Sequence, residues 1–259
     1  MWKTNITKIG KMEMLVRGYK LSQLIESCSF ADMVLLMSTG CMPHLNQSEL
    51  MDAILVSCCD ESLLPRSTNV TRFNASCGVP LEAALASGII AFGGHEGGSV
   101  ETCAGLLQAK AKVINKRGID EIANEIVDEF DVKKEKIPGL GHSHFEADPR
   151  GRKIVRMTCE KLYPHPHTDL ILAVEKRIID ERDPRITINI SGGVAAAILD
   201  LGIDWRMAKG IVIIARSLGL VAHALEEIQS GKPYEQPQVK DIMFSEEEAK
   251  EFPLRISPS

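Results

Sequence analysis

The stretch GLGHSHFEADPRGRK, residues 139–153, combines groups that can hold an anion with a group that can move a proton. His142 is a candidate acid or base, because an imidazole titrates near neutral pH. Arg150 can hold a carboxylate through two parallel hydrogen bonds. The glycines let the backbone approach a flat ligand closely, because a side chain there would collide with it. Considered alone, the stretch could also be a surface turn with an incidental histidine.

The charge of this region differs from that of the whole chain. Residues 133–156 contain seven lysines or arginines and three acids, whereas the chain of 259 residues has a net charge of -5. An acidic chain argues against broad nucleic-acid binding, which neutralises phosphates over a basic face. The segregated positive charge therefore predicts a small anionic ligand and no nucleic-acid partner.

Cysteine usage and hydropathy indicate the compartment. The seven cysteines are odd in number, show no C-x-x-C spacing and lie mostly in apolar runs. This is typical of reduced, mostly buried thiols in a cytosolic protein, and it predicts no metal site. The N-terminus has no apolar signal core, and no uninterrupted apolar stretch approaches the ~18 to 20 residues of a membrane span. We therefore expect a cytoplasmic protein with no membrane partner.

Helical periodicity predicts the elements that must hold the loop. Apolar residues recur three and four positions apart in the segments 22–40, 46–59, 118–130, 168–182 and 204–231. Only RITINI, residues 185–190, alternates as a strand does. The sequence therefore predicts an all-α protein of about ten helices with one short strand.

Two glycine-rich joints, FGGHEGG at 92–98 and NISGG at 189–193, bracket a segment of about a hundred residues that contains the loop. We predict a larger helical domain formed by residues 1–99 and 201–259, the latter ending in an extended arm. A smaller helical domain, residues 100–200, is inserted into it. The active site is expected in the cleft between them, closed by hinge rotation.

Four motifs in the same order resemble the citrate synthase superfamily, and within it the short citryl-CoA lyase and the C-terminal module of ATP-citrate lyase. The motifs are RGYKLSQLIESCSFADMVLLMSTGCMP, FGGHEGGSVE, PGLGHSHFEADPRG and ARSLGLVAHALEE. The match extends from about Arg17 to Glu227 and lacks the long N-terminal helices of full-length citrate synthases. The resemblance implies an all-α fold with a large domain, a smaller inserted domain and a cleft between them.

The resemblance also implies roles for single residues. His142 resembles the histidine that contacts the substrate hydroxyl, and Arg150 and Arg216 resemble the arginines that clamp substrate carboxylates. The backbone from Pro138 to Gly141, through Gly139 and Leu140, is similar to the cradle for the adenine of coenzyme A. Five basic residues are either neighbours of its phosphates or a solvated face: Lys133, Lys134, Lys136, Arg152 and Lys153.

The chain departs from the family pattern at three positions. Glu96, preceded by His95, stands where the family places a histidine donor to the thioester oxygen. Either Glu96 is protonated in an apolar cleft, or His95 takes the role, or Glu96 serves as a base or only as a structural residue. Ser191 replaces the family aspartate that works at the acetyl carbon. The substrate histidine of the family's Asp-His-Gly is also missing, and near it stand Asp60, Glu61 and Arg72.

The resemblance predicts an enzyme that cleaves citryl-CoA, or a close 3-hydroxy-3-carboxyacyl-CoA, to acetyl-CoA and oxaloacetate or another 2-oxoacid. In that reaction His142 takes the hydroxyl proton, Arg150, Arg216 and Arg72 bind carboxylates, and Glu96, His95 and Ser191 lie at the acetyl carbon. Coenzyme A enters as the thioester, with no metal or redox cofactor. A homodimer or higher homo-oligomer is expected, with the helices before residue 60 as its candidate surface. The alternatives are a related condensing or cleaving enzyme with other substrates, and a silent regulatory paralogue that binds coenzyme A thioesters.

Overall fold

A computed structural model describes residues 1–94, 96–142, 145–231 and 239–243. Within these residues the chain forms twelve α-helices and a small sheet, so the predicted all-α class is confirmed. The helices are α1 (Leu21–Ser27), α2 (Phe30–Thr39), α3 (Leu45–Cys58), α4 (Arg66–Ser76), α5 (Leu81–Ile90), α6 (Gly98–Ala111), α7 (Ile114–Arg117), α8 (Ile119–Lys133), α9 (Pro149–Lys161), α10 (Pro166–Glu181), α11 (Ile190–Asp200) and α12 (Ala208–Ser230). Two 3-10 turns lie at Trp205–Met207 and Val239–Asp241.

A three-stranded antiparallel sheet precedes the helices and was not predicted. Its strands are β1 (Thr7–Ile9), β2 (Met14–Val16) and β3 (Tyr19–Lys20), in the order β1-β2-β3. Each strand has at most three residues, which is too short for an alternating pattern to be recognised.

The segment 22–40, predicted as one helix, is divided into α1 and α2. Ser29 starts α2 with a capping box, because its side chain accepts from the Asp32 N–H and the Asp32 carboxylate accepts from the Ser29 N–H. Gly40 ends α2 in the left-handed conformation, as its position in the sequence indicates.

Helix α11 lies at the centre of the molecule. Its residues 192–199 are all buried, and it packs against α6, α9 and α10. Helices α3 and α12 contribute to the same continuous apolar core, and α4 and α5 pack on the far part of α12. The division into domains at 99/100 and 200/201 stays a prediction. Most of the C-terminal arm lies outside the described residues.

The strand predicted for RITINI is wrong. Leu140 and Ile188 form a single antiparallel bridge, and α11 begins at Ile190. The Ile188 N–H donates to the buried carboxylate of Glu175 at 2.7 Å instead of to a second strand. The alternating residues therefore form an extended segment beside the glycine loop.

The long helical stretch Trp205–Ser230 is the one part of the described chain that is long and apolar enough to cross a membrane. In the most apolar 18-residue part of this stretch, 44% is buried inside the protein. Helix α12 packs against α3, α4, α5 and α6. These contacts are those of a core helix.

All seven cysteines are free, but the expectation that most are buried is wrong. Burial raises the pKa of the Cys58 thiol to about 11 and that of the Cys103 thiol to about 12. In contrast, Cys41, Cys77 and Cys159 are exposed.

Candidate active site

Gly139 places the loop against the central helix. Its φ is +89°, and a Cβ there would lie 2.6 Å from the Cys103 Sγ and 2.7 Å from the Gly192 Cα. A side chain of any kind would therefore collide with α6 and α11. The Gly139 carbonyl accepts from the Asn189 N–H at 3.0 Å. The glycine is needed for close packing within the protein.

The segment 187–189 forms the back of the loop. The Gly141 N–H donates to the Thr187 carbonyl at 2.8 Å, and Asn189 Nδ2 donates to the Gly141 carbonyl at 2.6 Å. Asn189 also caps α11, because its side chain accepts from the Gly192 N–H. These contacts hold the loop at the N-terminus of α11.

His142 follows directly after this anchored backbone and is largely covered, with 19% of its side chain exposed. Its Nδ1 accepts from the Phe145 N–H at 3.2 Å, and the Phe145 ring packs 4.8 Å from the imidazole. Its Nε2 lies 4.0 Å from Asp148 Oδ2. The Phe145 N–H thus fixes the ring and leaves the proton of a neutral imidazole on Nε2, the nitrogen that faces Asp148.

Asp148 is a fully buried carboxylate at the N-terminus of α9. It accepts from Nε and Nη2 of Arg150 at 3.0 and 3.1 Å, and from the Ile190 N–H at 2.9 Å. Burial disfavours the ionised carboxylate, but the hydrogen bonds from Arg150 and Ile190 outweigh burial and lower the Asp148 pKa. Asp148 therefore fixes the guanidinium plane of Arg150.

Glu61 joins the two predicted carboxylate-binding arginines. It lies just after α3, where its Oε1 accepts from Arg150 Nη1 and its Oε2 lies 2.9 Å from Arg216 Nη2. Arg216 comes from α12, is 5% exposed, and donates from Nε to the Cys58 carbonyl at 3.1 Å. Burial raises the Glu61 pKa, but Arg216 and Arg150 together lower it below its ordinary value. The carboxylate of Glu61 thus lies between two guanidinium groups.

A cavity of about 70 Å³ opens beside this pair of arginines, and Glu61, Glu96, Ser191 and Arg216 contribute to its wall. The Ser191 hydroxyl accepts from the Ser99 hydroxyl at 2.8 Å. Two further predicted residues, Glu96 and Ser191, therefore lie in the same cavity wall as Arg216.

The Glu96 carboxylate is held at the N-terminus of α4. It accepts from the Ser67 N–H at 3.0 and 3.1 Å and from the Ser67 hydroxyl. Pro65, the residue at the cap position of α4, supplies no side-chain hydrogen bond, so Glu96 performs that role from another part of the chain. The proposed catalytic role of Glu96 stays a prediction, while its structural contact with α4 is evident.

Arg72, which was predicted for the site, does not line this cavity, and neither does Asp60. Arg72 forms ion pairs with Glu226 and Glu227 on α12, at 3.1 and 2.5 Å. Asp60 pairs with His223 at 3.0 Å. The carboxylate-binding role of Arg72 stays a prediction, and in the structure its guanidinium pairs with two carboxylates of α12. His95 lies outside the described residues.

A larger cavity of about 630 Å³ lies on the other side of His142. Leu140, Gly141 and His142 line it, as do Phe145, Ile178 and Ile186. Its rim carries both charges, in Lys136, Arg182, Arg185, Glu135, Glu146 and Asp183. Pro138 and Gly139 do not line it: Gly139 is buried, and Pro138 borders a small internal void beside Cys103.

Of the five basic residues expected near phosphates, Lys136 lines this cavity. Arg152 pairs with Glu175 at 3.2 Å, and Lys133 lies 5.6 Å from the Phe130 ring. The positive charge of the region is therefore only partly directed toward the cavity.

The sequence model of a protein family, described as the citrate synthase C-terminal domain, matches residues 42–238 of this chain. The chain belongs to the citrate synthase family. Among solved structures, this family member is similar to citryl-CoA lyase from Hydrogenobacter thermophilus, with a TM-score of 0.87 and 32% identity over 98% of both chains. It is also similar to ATP citrate lyase from Methanothrix soehngenii in complex with citrate and coenzyme A, with a TM-score of 0.84 and 18% identity. That match covers 95% of this chain and 42% of the other.

Curated relatives of this citrate synthase family member include the citrate/2-methylcitrate synthase of Bacillus subtilis. The two are 26% identical over 208 residues, which are 78% of this chain and 54% of the relative. The chain spans 29 to 56% of the length of the curated relatives it matches. The similarity therefore covers most of this chain but at most 56% of the length of each of these relatives.

The sequence analysis gave no role in the site of this citrate synthase family member to three residues: Asp148, Glu61 and Ser99. The contact between Asp148 and Arg150 could have been expected, because an aspartate before Pro-Arg is placed to cap a helix and reach the arginine. The bridging position of Glu61 and the pairing of Ser99 with Ser191 join segments 89 and 92 residues apart. No local pattern reports such contacts.

Proposed function

We propose that the protein cleaves a 3-hydroxy-3-carboxyacyl-CoA of the citryl-CoA type to acetyl-CoA and a 2-oxoacid. The observation that carries the proposal is a continuous series of contacts from His142 through Asp148, Arg150 and Glu61 to Arg216. It joins a group for proton transfer with two groups for carboxylates. The likeness to a citryl-CoA lyase along 98% of both chains supports this reaction.

His142 is proposed to exchange the proton of the substrate hydroxyl. Breaking the carbon–carbon bond turns the alcohol carbon into a carbonyl, and the electron pair passes to the thioester as an enolate. The hydroxyl proton must leave as this happens, and His142 is proposed to receive it on Nδ1, where the substrate hydroxyl would replace the Phe145 N–H. Arg150 and Arg216 would bind carboxylate of the departing 2-oxoacid.

Coenzyme A is proposed to occupy the 630 Å³ cavity beside Leu140 and Gly141. Its apolar wall, formed in part by Ile178 and Ile186, suits a flat adenine, and Lys136 and Arg182 lie at the rim where phosphates would be. The thioester would then extend past His142 toward the smaller cavity. Glu96 and Ser191 line that cavity, so they are the described residues proposed to act near the enolate.

Condensation in the opposite direction uses the same groups and is the first alternative, with a different acyl chain or acceptor. A regulatory protein that binds coenzyme A thioesters without turnover is the second. The hydrogen bonds that hold Ser191 to Ser99 and Glu96 to Ser67 favour the regulatory alternative, because both groups already have partners.

We also propose a soluble, cytoplasmic homodimer. Four large apolar side chains along one side of α12 are exposed, while the opposite side of the helix packs into the protein: Ile214, Leu218, Leu225 and Ile228. Exposed apolar residues at helical spacing are typical of a surface that another chain covers.

Turnover of citryl-CoA and of homologous thioesters by the purified protein tests the proposal. We expect acetyl-CoA to be released, and His142→Ala to reduce kcat/KM by about 10² to 10⁴-fold, as loss of a general acid or base does. His44→Ala is the matched control, because His44 is exposed at the start of α3. An unchanged rate in His142→Ala would contradict the mechanism. Binding by calorimetry without any turnover would favour the regulatory alternative, and the absence of both would exclude the substrate class.

A further inference from the structure

The two arginines proposed to bind carboxylate, here called the clamp, already hold one carboxylate from the protein. Glu61 accepts from Arg150 Nη1 with one oxygen and lies 2.9 Å from Arg216 Nη2 with the other. Three more N–H groups of the two arginines also donate to the protein. Arg150 Nε and Nη2 donate to Asp148, and Arg216 Nε donates to the Cys58 carbonyl. Glu61 therefore occupies the position between the guanidinium groups, where a substrate carboxylate would otherwise be held.

Burial argues that Glu61 stays in this position when substrate binds. The side chain of Arg216 is 5% exposed and that of Asp148 is fully buried. Moving Glu61 away would separate the guanidinium of Arg216 from the carboxylate with which it pairs among the described residues, and breaking a largely buried ion pair is costly. A second substrate carboxylate would have to displace two charge-assisted hydrogen bonds before making its own.

The charge around the clamp also disfavours a second substrate carboxylate. The described residues that contact the clamp or line the cavity beside it include three carboxylates and two guanidinium groups: Glu61 and Asp148 pair with the arginines, and Glu96 lines the cavity. Each substrate carboxylate adds one more negative charge to this surplus. Like charges in a shared site disfavour one another, so a substrate with one free carboxylate is accommodated more easily than one with two.

We infer that Glu61 is a specificity-determining residue that takes the place of one substrate carboxylate. The preferred substrate is then a 3-hydroxy-3-carboxyacyl-CoA with a single free carboxylate and a small uncharged group where citryl-CoA carries its second acid. This inference rests on the proposed cleavage. The bond between C2 and C3 breaks, its electron pair passes to the thioester enolate, and C2 gains a proton. The hydroxyl loses its proton and becomes the carbonyl of a 2-oxo monocarboxylic acid.

The test compares two probes, citryl-CoA and 3-carboxy-3-hydroxybutanoyl-CoA, in which a methyl group replaces the second carboxymethyl group. We expect the wild-type protein to cleave the monocarboxylate at least 10-fold more efficiently in kcat/KM. Glu61→Gln keeps the size of the side chain and removes its charge, so we expect it to shift the ratio toward citryl-CoA by at least 10-fold, mainly through KM. Glu160→Gln is the matched control, since Glu160 is 59% exposed on α9 and pairs with Arg156.

Each outcome separates this inference from the proposed function. Cleavage of citryl-CoA at least as efficient as that of the monocarboxylate would overturn the role of Glu61 and leave the lyase function in place. An equal effect of Glu61→Gln on both probes would do the same. If neither probe is cleaved, the lyase function fails, and the Kd ratio of the two thioesters by calorimetry still tests the charge preference. Because the wild-type ratio needs no variant, the test does not depend on the folding of Glu61→Gln.

Discussion

Single residues decide how negative charge is distributed in the site, and Asp148 is one of them. Its carboxylate is completely buried and has Arg150 and the Ile190 N–H as donors. The sequence contains enough information to place Asp148 beside Arg150, because helix caps are local, although the contact was not predicted. It could not place Glu61, because the direction of a side chain in the segment after α3 depends on the packing of α9 and α12.

Acid titration provides the first prediction at this scale. Asp148 and Glu61 have ordinary pKa values of 3.8 and 4.5, and both values are lowered in the folded protein. The stability they contribute is therefore fully present above about pH 4.5 and is lost as the pH falls through the lowered values. We expect Asp148→Asn to reduce the free energy of unfolding by about 3 kcal/mol at pH 7, and this difference to shrink toward pH 3.

Denaturant unfolding between pH 3 and pH 7 measures this effect. Asp52→Asn, at an exposed position of α3, is the control and should follow the wild-type profile. A difference between wild type and Asp148→Asn that is constant with pH would show that the charge of Asp148 does not stabilise the fold.

At the scale of elements, the sequence predicted long amphipathic helices well and short or non-local elements poorly. Helices α3, α8, α10 and α12 lie where the periodicity places them, because each buries one continuous apolar side. RITINI has the alternating pattern of a strand but forms no sheet. Its backbone groups bond instead to the glycine loop and to the carboxylate of Glu175. The contact of Glu96 with the start of α4 also joins distant segments and leaves no local signal.

The glycine loop provides the prediction for this scale. A Cβ at Gly139 would collide with the backbone of α11, whereas at Gly141 its nearest neighbour would be a side-chain carbon of Ile186 at 4.0 Å. Both residues have positive φ, +89° and +74°. We expect Gly139→Ala to cost about 3 kcal/mol, because strain and collision combine, and Gly141→Ala about 1 kcal/mol from strain alone.

Chemical denaturation of both variants measures the two costs. Gly141→Ala is the matched control, since it adds the same methyl group two positions away. Equal costs for the two substitutions would contradict the close packing of the loop on α11.

At the scale of the whole molecule, the four motifs and their order along the chain indicated the family and the fold class. They did not indicate which helices expose apolar side chains on the surface. The predicted surface for a second chain was the set of helices before residue 60, and Ile25 and Phe30 there are indeed 74% and 68% exposed. The structure adds α12, where Leu218 is 69% exposed. Since α12 also carries Arg216, a partner on its outer side would stabilise the helix that holds the clamp.

Oligomeric state separates these two surfaces. We expect the wild-type protein to have twice the 28.4 kDa mass of one chain in light scattering. Leu218→Glu should raise the Kd of the dimer at least 10-fold, because it places a charge in an apolar interface. Phe30→Glu tests the surface before residue 60 in the same way. Val132→Glu is the control, since Val132 is 85% exposed on α8. Dissociation by Phe30→Glu alone would move the interface to the N-terminal helices, and a monomeric wild-type protein would show that the α12 side chains serve another purpose.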